Sequence, residues 1–178
     1  MKQEMARKIS GLTLQQLRAE LHQGETDDLR RRRAIIGLSL IGTGAMALVS
    51  LLQTGIVRHL PDPPLESFNS DKVNSSDTAY MLGVPDGTLS LASLAANLPL
   101  AAFGGADRAR QQPLIPLVAA GKAAVEAAVA GWYFYQMPAK EKAWYAYCIT
   151  GAWANFGIFA LTLPEAAKTL SALRIQQL

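Results

Sequence analysis

Apolar residues in this chain are gathered into long, nearly uncharged segments instead of recurring at helical or strand intervals. Three segments contain no charged side chain, and a fourth contains only Lys122 and Glu126; the four are residues 34–57, 88–106, 113–137 and 143–163. A helix needs about 20 consecutive apolar residues to cross the hydrocarbon core of a membrane. The pattern therefore predicts an all-α polytopic membrane protein, a four-transmembrane-helix bundle over residues 34–178. A soluble all-α bundle is the alternative, but it would be unusual for one to bury several helices so long and so uncharged.

The first apolar segment is predicted to stay in the protein as a transmembrane helix. A cleaved signal peptide has an apolar region of roughly 7–15 residues close to the N-terminus. Here residues 1–33 are largely polar and come first, and the apolar segment that follows them is longer.

Basic residues predict the orientation of the helices. Four arginines, residues 30–33, directly precede the first segment, which favours a cytoplasmic N-terminus. Alternation then places residues 58–87 outside and both termini in the cytoplasm, and we expect the membrane to be a bacterial inner membrane. Twelve basic residues fall inside on this topology and four fall outside. The inner set is Lys2, Arg7, Lys8, Arg18, Arg30, Arg31, Arg32, Arg33, Arg108, Arg110, Lys168 and Arg174, and the outer set is Arg58, Lys72, Lys140 and Lys142.

Composition favours lipid as the partner and argues against nucleic acid. Half of the residues are apolar and 17% are charged. The net charge of +3 is explained by the basic residues that set the orientation of the helices, without a nucleic-acid partner. No basic patch interleaved with aromatic residues is present. His22 and His59 are isolated, so no metal site is predicted. No glycine-rich phosphate loop is found either.

The basic N-terminal segment, residues 1–33, is predicted to contain a short amphipathic helix. Residues 13–16 read TLQQ, which has the form of a capping box. Leu14, Leu17 and Leu21 then share one helical face. Such a helix is expected to lie on the membrane surface or on the bundle.

The outer loop, residues 58–87, is predicted to be mostly irregular. The prolines of HLPDPP, residues 59–64, are incompatible with a continuous helix. A short helix over residues 77–82 and a tight Pro-Asp-Gly turn at residues 85–87 are predicted to lead into the second apolar segment.

Polar groups inside the apolar segments are the first candidates for function. Lys122 and Glu126 are spaced i,i+4 near the middle of the third segment, so they share a helical face. Ionisable groups at that depth normally face the interior of a bundle and pair. The two residues form either a self-neutralising structural pair, which we favour, or a polar spot in a ligand pocket or proton path. Asn97 and Asn155 add polar groups at membrane depth, each expected to find a hydrogen-bond partner.

Cys148 is the only cysteine in the chain and the one candidate nucleophile. It cannot form a disulfide within the chain. An apolar helix also suppresses the reactive thiolate form. Cys148 is therefore expected to act as a small apolar side chain rather than as a catalytic residue.

Two short motifs carry a resemblance to a known family. Residues 70–87, SDKVNSSDTAYMLGVPDG, contain Ser75 and Ser76 and, seven residues after Ser76, a Gly-Val-Pro that leads into the second apolar segment. Residues 145–148, YAYC, lie near the outer start of the fourth segment. With the predicted helices and the long first outer loop, this order resembles the membrane domain of the vitamin K epoxide reductase family over about residues 34–170.

The resemblance implies a relay of two electrons from a loop cysteine pair through a membrane Cys-x-x-Cys pair to a bound quinone. This chain departs at three of the four cysteines: Ser70 occupies the second loop position, the first falls near Asp62, and Tyr145 replaces the first cysteine of the membrane pair. Cys148 corresponds to the remaining cysteine, beside the quinone. Asp86 places an ionisable group beside the expected mouth of the pocket. Because disulfide exchange needs a thiolate and a disulfide, the family's reaction is expected to be absent.

The expected function is therefore non-catalytic. The protein is expected to act as a membrane subunit with a protein partner or to bind a quinone-like apolar ligand, with no other cofactor, through Asp86, Tyr145, Cys148 and Asn155. One alternative is a quinone-linked thiol oxidoreductase that uses Cys148 with a partner's thiol. Another is a purely structural membrane protein whose pocket is filled by Tyr145, Tyr147 and Trp153. An open cavity near Cys148 and Asp86 favours ligand binding over the structural role.

Overall fold

The structure is a computed structural model that describes residues 3, 4, 7 and 11–175. Over those residues the fold is helical, and the β pairing is an isolated parallel bridge between Phe68 and Trp144. The predicted all-α class is thereby confirmed for the described part of the chain. Lys2 and Lys8, which were counted among the inner basic residues, lie outside it. The helices are α1 Leu14–Gln23, α2 Asp27–Gln53, α3 Ser70–Asn74, α4 Asp86–Ala102, α5 Arg108–Gln111, α6 Leu114–Gln136 and α7 Ala146–Ile175.

Three helices are long and apolar enough to cross a membrane. They are α2, α6 together with the π-helical turn Met137–Glu141 that extends it, and α7. Helix α4 corresponds to the second predicted segment but has 17 residues, fewer than the roughly 20 that a perpendicular crossing needs. Length and composition therefore support three membrane-spanning helices, one fewer than the pattern predicts.

Helices α2 and α4 run antiparallel to each other. Gln53, at the end of α2, donates from Nε2 to Asp86 Oδ1 at the start of α4, at 2.6 Å. Arg32, near the start of α2, donates to the carbonyl of Phe103, directly after α4, at 3.2 Å. We call the end of the bundle that carries residues 54–85 the loop end, and the other the opposite end. Helix α2 packs against both α4 and α7, and α7 also packs against α6.

The centre of the bundle is closely packed around α2. Leu94 of α4 and Ile158 of α7 are each 1% exposed. A Cβ on Gly42 would lie 3.1 Å from the side chains of both Leu94 and Ala154. Glycine at this position therefore allows α2 to approach α4 and α7 together.

The Pro-Asp-Gly stretch forms a turn that is part of α4, and the Thr88 backbone N–H donates to Pro85 O at 3.2 Å. Pro85 is the N-cap of α4, and Asp86 and Gly87 form its first helical residues. Gln53 of α2 supplies hydrogen bonds to the start of α4. Its Oε1 accepts from the Gly87 backbone N–H at 3.0 Å, and its Nε2 donates to Asp86. The negative Asp86 side chain also lies at the favourable end of the helix dipole. The turn predicted ahead of residue 88 is therefore the first turn of the helix.

The outer loop folds over the loop end. The Trp144 backbone N–H donates to Ser67 O at 2.7 Å, and that of Asn69 donates to Trp144 O at 3.1 Å. Tyr147 reaches the loop from α7, donating its hydroxyl to Pro61 O at 3.2 Å. The short helix predicted over residues 77–82 is present as a 3₁₀ helix, Asp77–Tyr80. These contacts tie the loop to the start of α7.

The predicted capping box at the start of α1 is formed. The Gln16 backbone N–H donates to Thr13 Oγ1 at 3.3 Å, and the Thr13 backbone N–H donates to Gln16 Oε1 at 3.0 Å. Helix α1 contacts the opposite end of the bundle through Glu20, whose Oε2 accepts from the Ala106 backbone N–H at 2.7 Å. Arg33 donates to the carbonyls of Leu21 and Gly24, just before α2.

A buried charged cluster closes the opposite end. Arg108 binds Glu165 with two hydrogen bonds, at 2.8 Å from Nε and 2.7 Å from Nη2. Arg108 also donates to the carbonyls of Leu100 and Phe103 at the end of α4. Arg32 donates to three carbonyls of residues 103–105. The two arginines therefore satisfy carbonyl groups that the end of α4 leaves without helical partners.

Candidate ligand cavity

A cavity of about 240 Å³ lies between α2, α4, α6 and α7. Its walls are mainly aliphatic and aromatic and include Met46, Val49, Leu94, Val129, Phe134 and Met137. An apolar cavity of about 150 Å³ is large enough to bind benzene. The volume here is therefore sufficient for a ring that carries substituents.

Most of the polar residues predicted for the site line this cavity. Asp86 and Cys148 line it towards the loop end, and Glu126 and Asn155 line it at greater depth. Tyr145 is fully buried but is not part of the cavity lining. The structure thus brings together residues from α4, α6 and α7 that are far apart in the sequence.

Asp86 lines the cavity at the loop end, as the first residue of α4. Its carboxyl group accepts a hydrogen bond from Gln53 Nε2 at 2.6 Å. A smaller cavity of about 30 Å³ continues beneath the loop and shares Asp86 and Cys148 with the main one. The loop end of the cavity thus combines an ionisable carboxyl, a thiol and apolar walls.

Aromatic side chains near Cys148 leave the cavity open. The Tyr145 ring packs against Tyr147 with ring centroids 5.4 Å apart. The Tyr145 hydroxyl is buried and has no closely aligned hydrogen bond, although Asn74 faces it. Trp153 is 64% exposed on the outer surface of α7. None of these three aromatic residues lines the cavity, so they do not fill it as the structural alternative requires.

Lys122 and Glu126 form an ion pair at the cavity wall, to which Glu126 belongs, with Nζ 2.5 Å from Oε1. Lys122 also donates to the Ser93 carbonyl at 2.7 Å and to Asn97 Oδ1 at 3.0 Å. Glu126 accepts from the Ser93 hydroxyl and, at 3.1 Å, from Asn97 Nδ2. The pair spacing was evident from sequence, but the contribution of Ser93 was not, because it depends on how α4 lies against α6.

The side chains of Asn97 and Asn155 differ in their hydrogen bonding. Asn97 uses both ends of its amide in the Lys122 and Glu126 network. Asn155 Oδ1 is buried and has no hydrogen-bond partner among the described residues. A buried polar atom without a partner costs free energy. Asn155 also lines the cavity, which makes it a candidate ligand contact.

Asp62 and Ser70, the residues that the resemblance places at or near the two loop cysteine positions, are in contact. The Ser70 backbone N–H donates to Asp62 Oδ2 at 2.8 Å, and the Ser70 hydroxyl donates to Asp62 Oδ1. Cys148 is the only cysteine of the sequence, so these positions are joined by hydrogen bonds rather than by sulfur. Among the described residues, no group of three or more metal-ligating side chains is present.

The fold and the cavity define an all-helical protein with three helices suited to a membrane. A family model described as the vitamin K epoxide reductase family matches residues 33–163. The match covers more than half of the 178 residues, so the chain belongs to that family and is an integral membrane protein. This confirms the resemblance carried by residues 70–87 and 145–148. A search of curated proteins found no match.

Proposed function

We propose that this protein binds a quinone-like apolar ring in the cavity between α2, α4, α6 and α7, and that it does not cycle thiols. The observation that carries the proposal is an open cavity of about 240 Å³ with Cys148 and Asp86 in its lining. Apolar walls with a few polar groups are typical of sites for small ligands. Disulfide exchange needs more than the single cysteine that this chain supplies.

The protein is proposed to cross the membrane four times, with α4 as the shorter crossing and both termini in the cytoplasm. Helix α4 runs antiparallel beside α2, which supports a crossing because its ends coincide with those of its neighbours. The basic residues favour a cytoplasmic opposite end in a bacterial inner membrane. Helix α1 then lies at the cytoplasmic surface, as an amphipathic segment would.

Binding of 1,4-naphthoquinone to the purified protein in lipid nanodiscs tests the ligand proposal. Ala130 lines the cavity and is 8% exposed, so Ala130→Phe is expected to fill the space and weaken binding at least about tenfold. Ala128 lies on the exposed surface of the same helix, and Ala128→Phe is the matched control that keeps binding unchanged. Equal binding by both variants, or none by the unmodified protein above empty nanodiscs, would refute the proposal.

A role as a membrane subunit is the second candidate. It is favoured by an open surface on α2, where nothing lies within 4 Å of a Cβ built on Gly37 or Gly44. Small residues on a membrane helix allow a second helix to approach closely. Chemical cross-linking in native membranes is expected to capture a partner that Gly37→Leu and Gly44→Leu together remove, and an unchanged pattern would argue against this role.

A further inference from the structure

The cavity lining contains two carboxyl groups, and they differ in how their negative charge is balanced. Glu126 has its counter-charge within the protein, because Lys122 Nζ lies 2.5 Å from its Oε1. Asp86, at the loop end, forms no ion pair with any residue that the structure describes. Among the described residues that line this cavity and the smaller one beneath the loop, none is lysine, arginine or histidine. The charge of Asp86 is therefore the one in the main lining that the protein leaves without a cation.

The hydrogen bonds of Asp86 stabilise its charge but do not neutralise it. Gln53 Nε2 donates to Asp86 Oδ1 at 2.6 Å, and a side-chain amide is a donor without net charge. Asp86 is also the first residue of α4, where the helix dipole favours a negative charge. That dipole is equivalent to only about half of a unit charge. Negative charge therefore remains at the loop end of an otherwise largely apolar cavity.

The cavity offers space for a cation and for a ring at the same time. Asp86 is only partly buried, and it lines both cavities. Tyr133 and Phe134 of α6 also line the main cavity, and aromatic rings attract ammonium groups. Farther along α4, Leu94 provides an aliphatic wall. A molecule with a positive group at one end and an apolar ring at the other matches this arrangement.

We infer that the cavity selects an aromatic ring that carries a protonated amine, with the ammonium group beside Asp86 and the ring against the apolar walls. A neutral ring of the same size, including a quinone, leaves the charge of Asp86 without a counter-charge. Attraction between opposite charges is stronger at a partly buried site than in bulk water, because the effective dielectric constant is lower. The inference rests on the proposed function, since it names the kind of ring that the cavity holds.

A matched pair of ligands tests the inference on the full-length protein in phosphatidylcholine nanodiscs, whose lipids carry no net charge. The probes are 2-naphthylmethylamine, which is protonated at neutral pH, and 2-naphthylmethanol, which has a neutral hydroxyl group in place of the ammonium group. After subtraction of the signal from empty nanodiscs, the amine is expected to bind about tenfold more tightly than the alcohol. The uncharged 1,4-naphthoquinone is expected to bind no more tightly than the alcohol.

Variants of two acidic residues locate the preference. Asp86→Asn removes the charge with little change in size and is expected to reduce the ratio of amine to alcohol affinity to about one. Binding of the alcohol then reports that the cavity is still folded. Asp77→Asn is the matched control and should leave the ratio unchanged, because Asp77 is an exposed acid near the same end that lines neither cavity. If Asp86→Asn no longer binds the alcohol, Asp86→Glu decides instead, because it keeps the charge and should keep the preference.

The outcomes separate this inference from the proposed function. Equal affinity of the unmodified protein for amine and alcohol overturns the preference for a cation and leaves ring binding intact. A preference that Asp77→Asn removes, or that survives Asp86→Asn, overturns the assignment to Asp86. Loss of the preference in Asp86→Glu, or of alcohol binding in both Asp86 variants, also overturns it. Absence of binding by all three rings to the unmodified protein overturns the proposed function as well.

Discussion

Asp62 accepts two hydrogen bonds from Ser70, one from its backbone N–H at 2.8 Å and one from its hydroxyl group. By the resemblance of residues 70–87 to the vitamin K epoxide reductase family, these two residues stand where a loop cysteine pair is expected. Ser70 is completely buried, so the contact holds the loop in place at the loop end. The two positions are therefore joined by hydrogen bonds in this chain.

Replacing Asp62 and Ser70 by cysteine is expected to create a disulfide. Disulfides form between residues whose Cα atoms are about 4.4–6.8 Å apart, a range compatible with the present side-chain contact. The variant Asp62→Cys/Ser70→Cys, made with Cys148→Ser, should have no alkylatable thiol after mild oxidation and two after reduction. The control Asp62→Cys/Ser75→Cys should stay reduced, because Ser75 bonds to Asp71 O instead. Free thiols in the first variant after oxidation would contradict the expected geometry.

The ion pair of Lys122 and Glu126 is expected to contribute to stability as a unit. The Glu126 side chain is 9% exposed, so Lys122→Met leaves a nearly buried carboxylate without its cation. Breaking a buried pair on one side typically costs about 3–5 kcal/mol, whereas replacing both partners with apolar residues is often neutral. Lys122→Met should therefore unfold more readily in detergent than Lys122→Met/Glu126→Leu. A single variant as stable as the unmodified protein would show that the pair contributes little.

Patterns within one segment predicted the helical class and the pairing of Lys122 with Glu126, because both depend on residues close in sequence. The pattern did not predict the contact of Arg108 with Glu165, which are 57 residues apart. From the sequence, Arg108 was predicted only to be one of the basic residues on the cytoplasmic side. Helix α7 also continues beyond the predicted end at residue 163, through Pro164 and Glu165 to Ile175. Residues 165–175 read EAAKTLSALRI and are rich in helix formers, so the continuation has a local signal, whereas the burial of Glu165 against Arg108 has none.

For the candidate site, too, single residues were predicted from the sequence but their arrangement was not. Asp86, Cys148 and Asn155 were identified as single residues, and the structure places all three in one cavity lining. Tyr145 was expected beside them but lies behind the lining, packed against Tyr147. Which face of a helix meets a cavity is decided by the packing of neighbouring helices, and uncharged apolar segments carry little information about it.

Buried and exposed ion pairs at the opposite end should differ in their effect on stability. Glu165→Leu leaves Arg108 and Arg32 buried without their counter-charge, and we expect a loss of about 3–5 kcal/mol. The control is Lys168→Met, which removes an ion pair with Asp28 from a side chain that is 55% exposed. Such pairs contribute about 0–1 kcal/mol. Unfolding in detergent measures the stability of both variants. Equal losses of stability would contradict the role assigned to Glu165.

Labelling of single cysteines is expected to place the two ends of the bundle on opposite sides of the membrane. In a Cys148→Ser background, Glu66→Cys in the loop should react with an impermeant thiol reagent applied to intact cells. Glu25→Cys, which precedes α2, should react only after lysis. Both side chains are exposed, so access to the reagent depends on the membrane alone. Labelling of Glu25→Cys before lysis would overturn the proposed orientation.

The last prediction concerns catalysis by the unmodified protein. Reduction of a quinone by two thiols transfers two electrons and two protons, giving a hydroquinone and a disulfide. The two sulfurs must end about 2 Å apart, and this chain supplies only Cys148. Neither the phenol of Tyr145 nor the hydroxyl of Ser70 has a sulfur atom with which to complete that bond. Purified protein supplied with a dithiol reductant is therefore expected to reduce 1,4-naphthoquinone no faster than empty nanodiscs. Cys148→Ser is the control, and rapid turnover that this change abolishes would establish the alternative, an oxidoreductase that uses a single thiol with a partner.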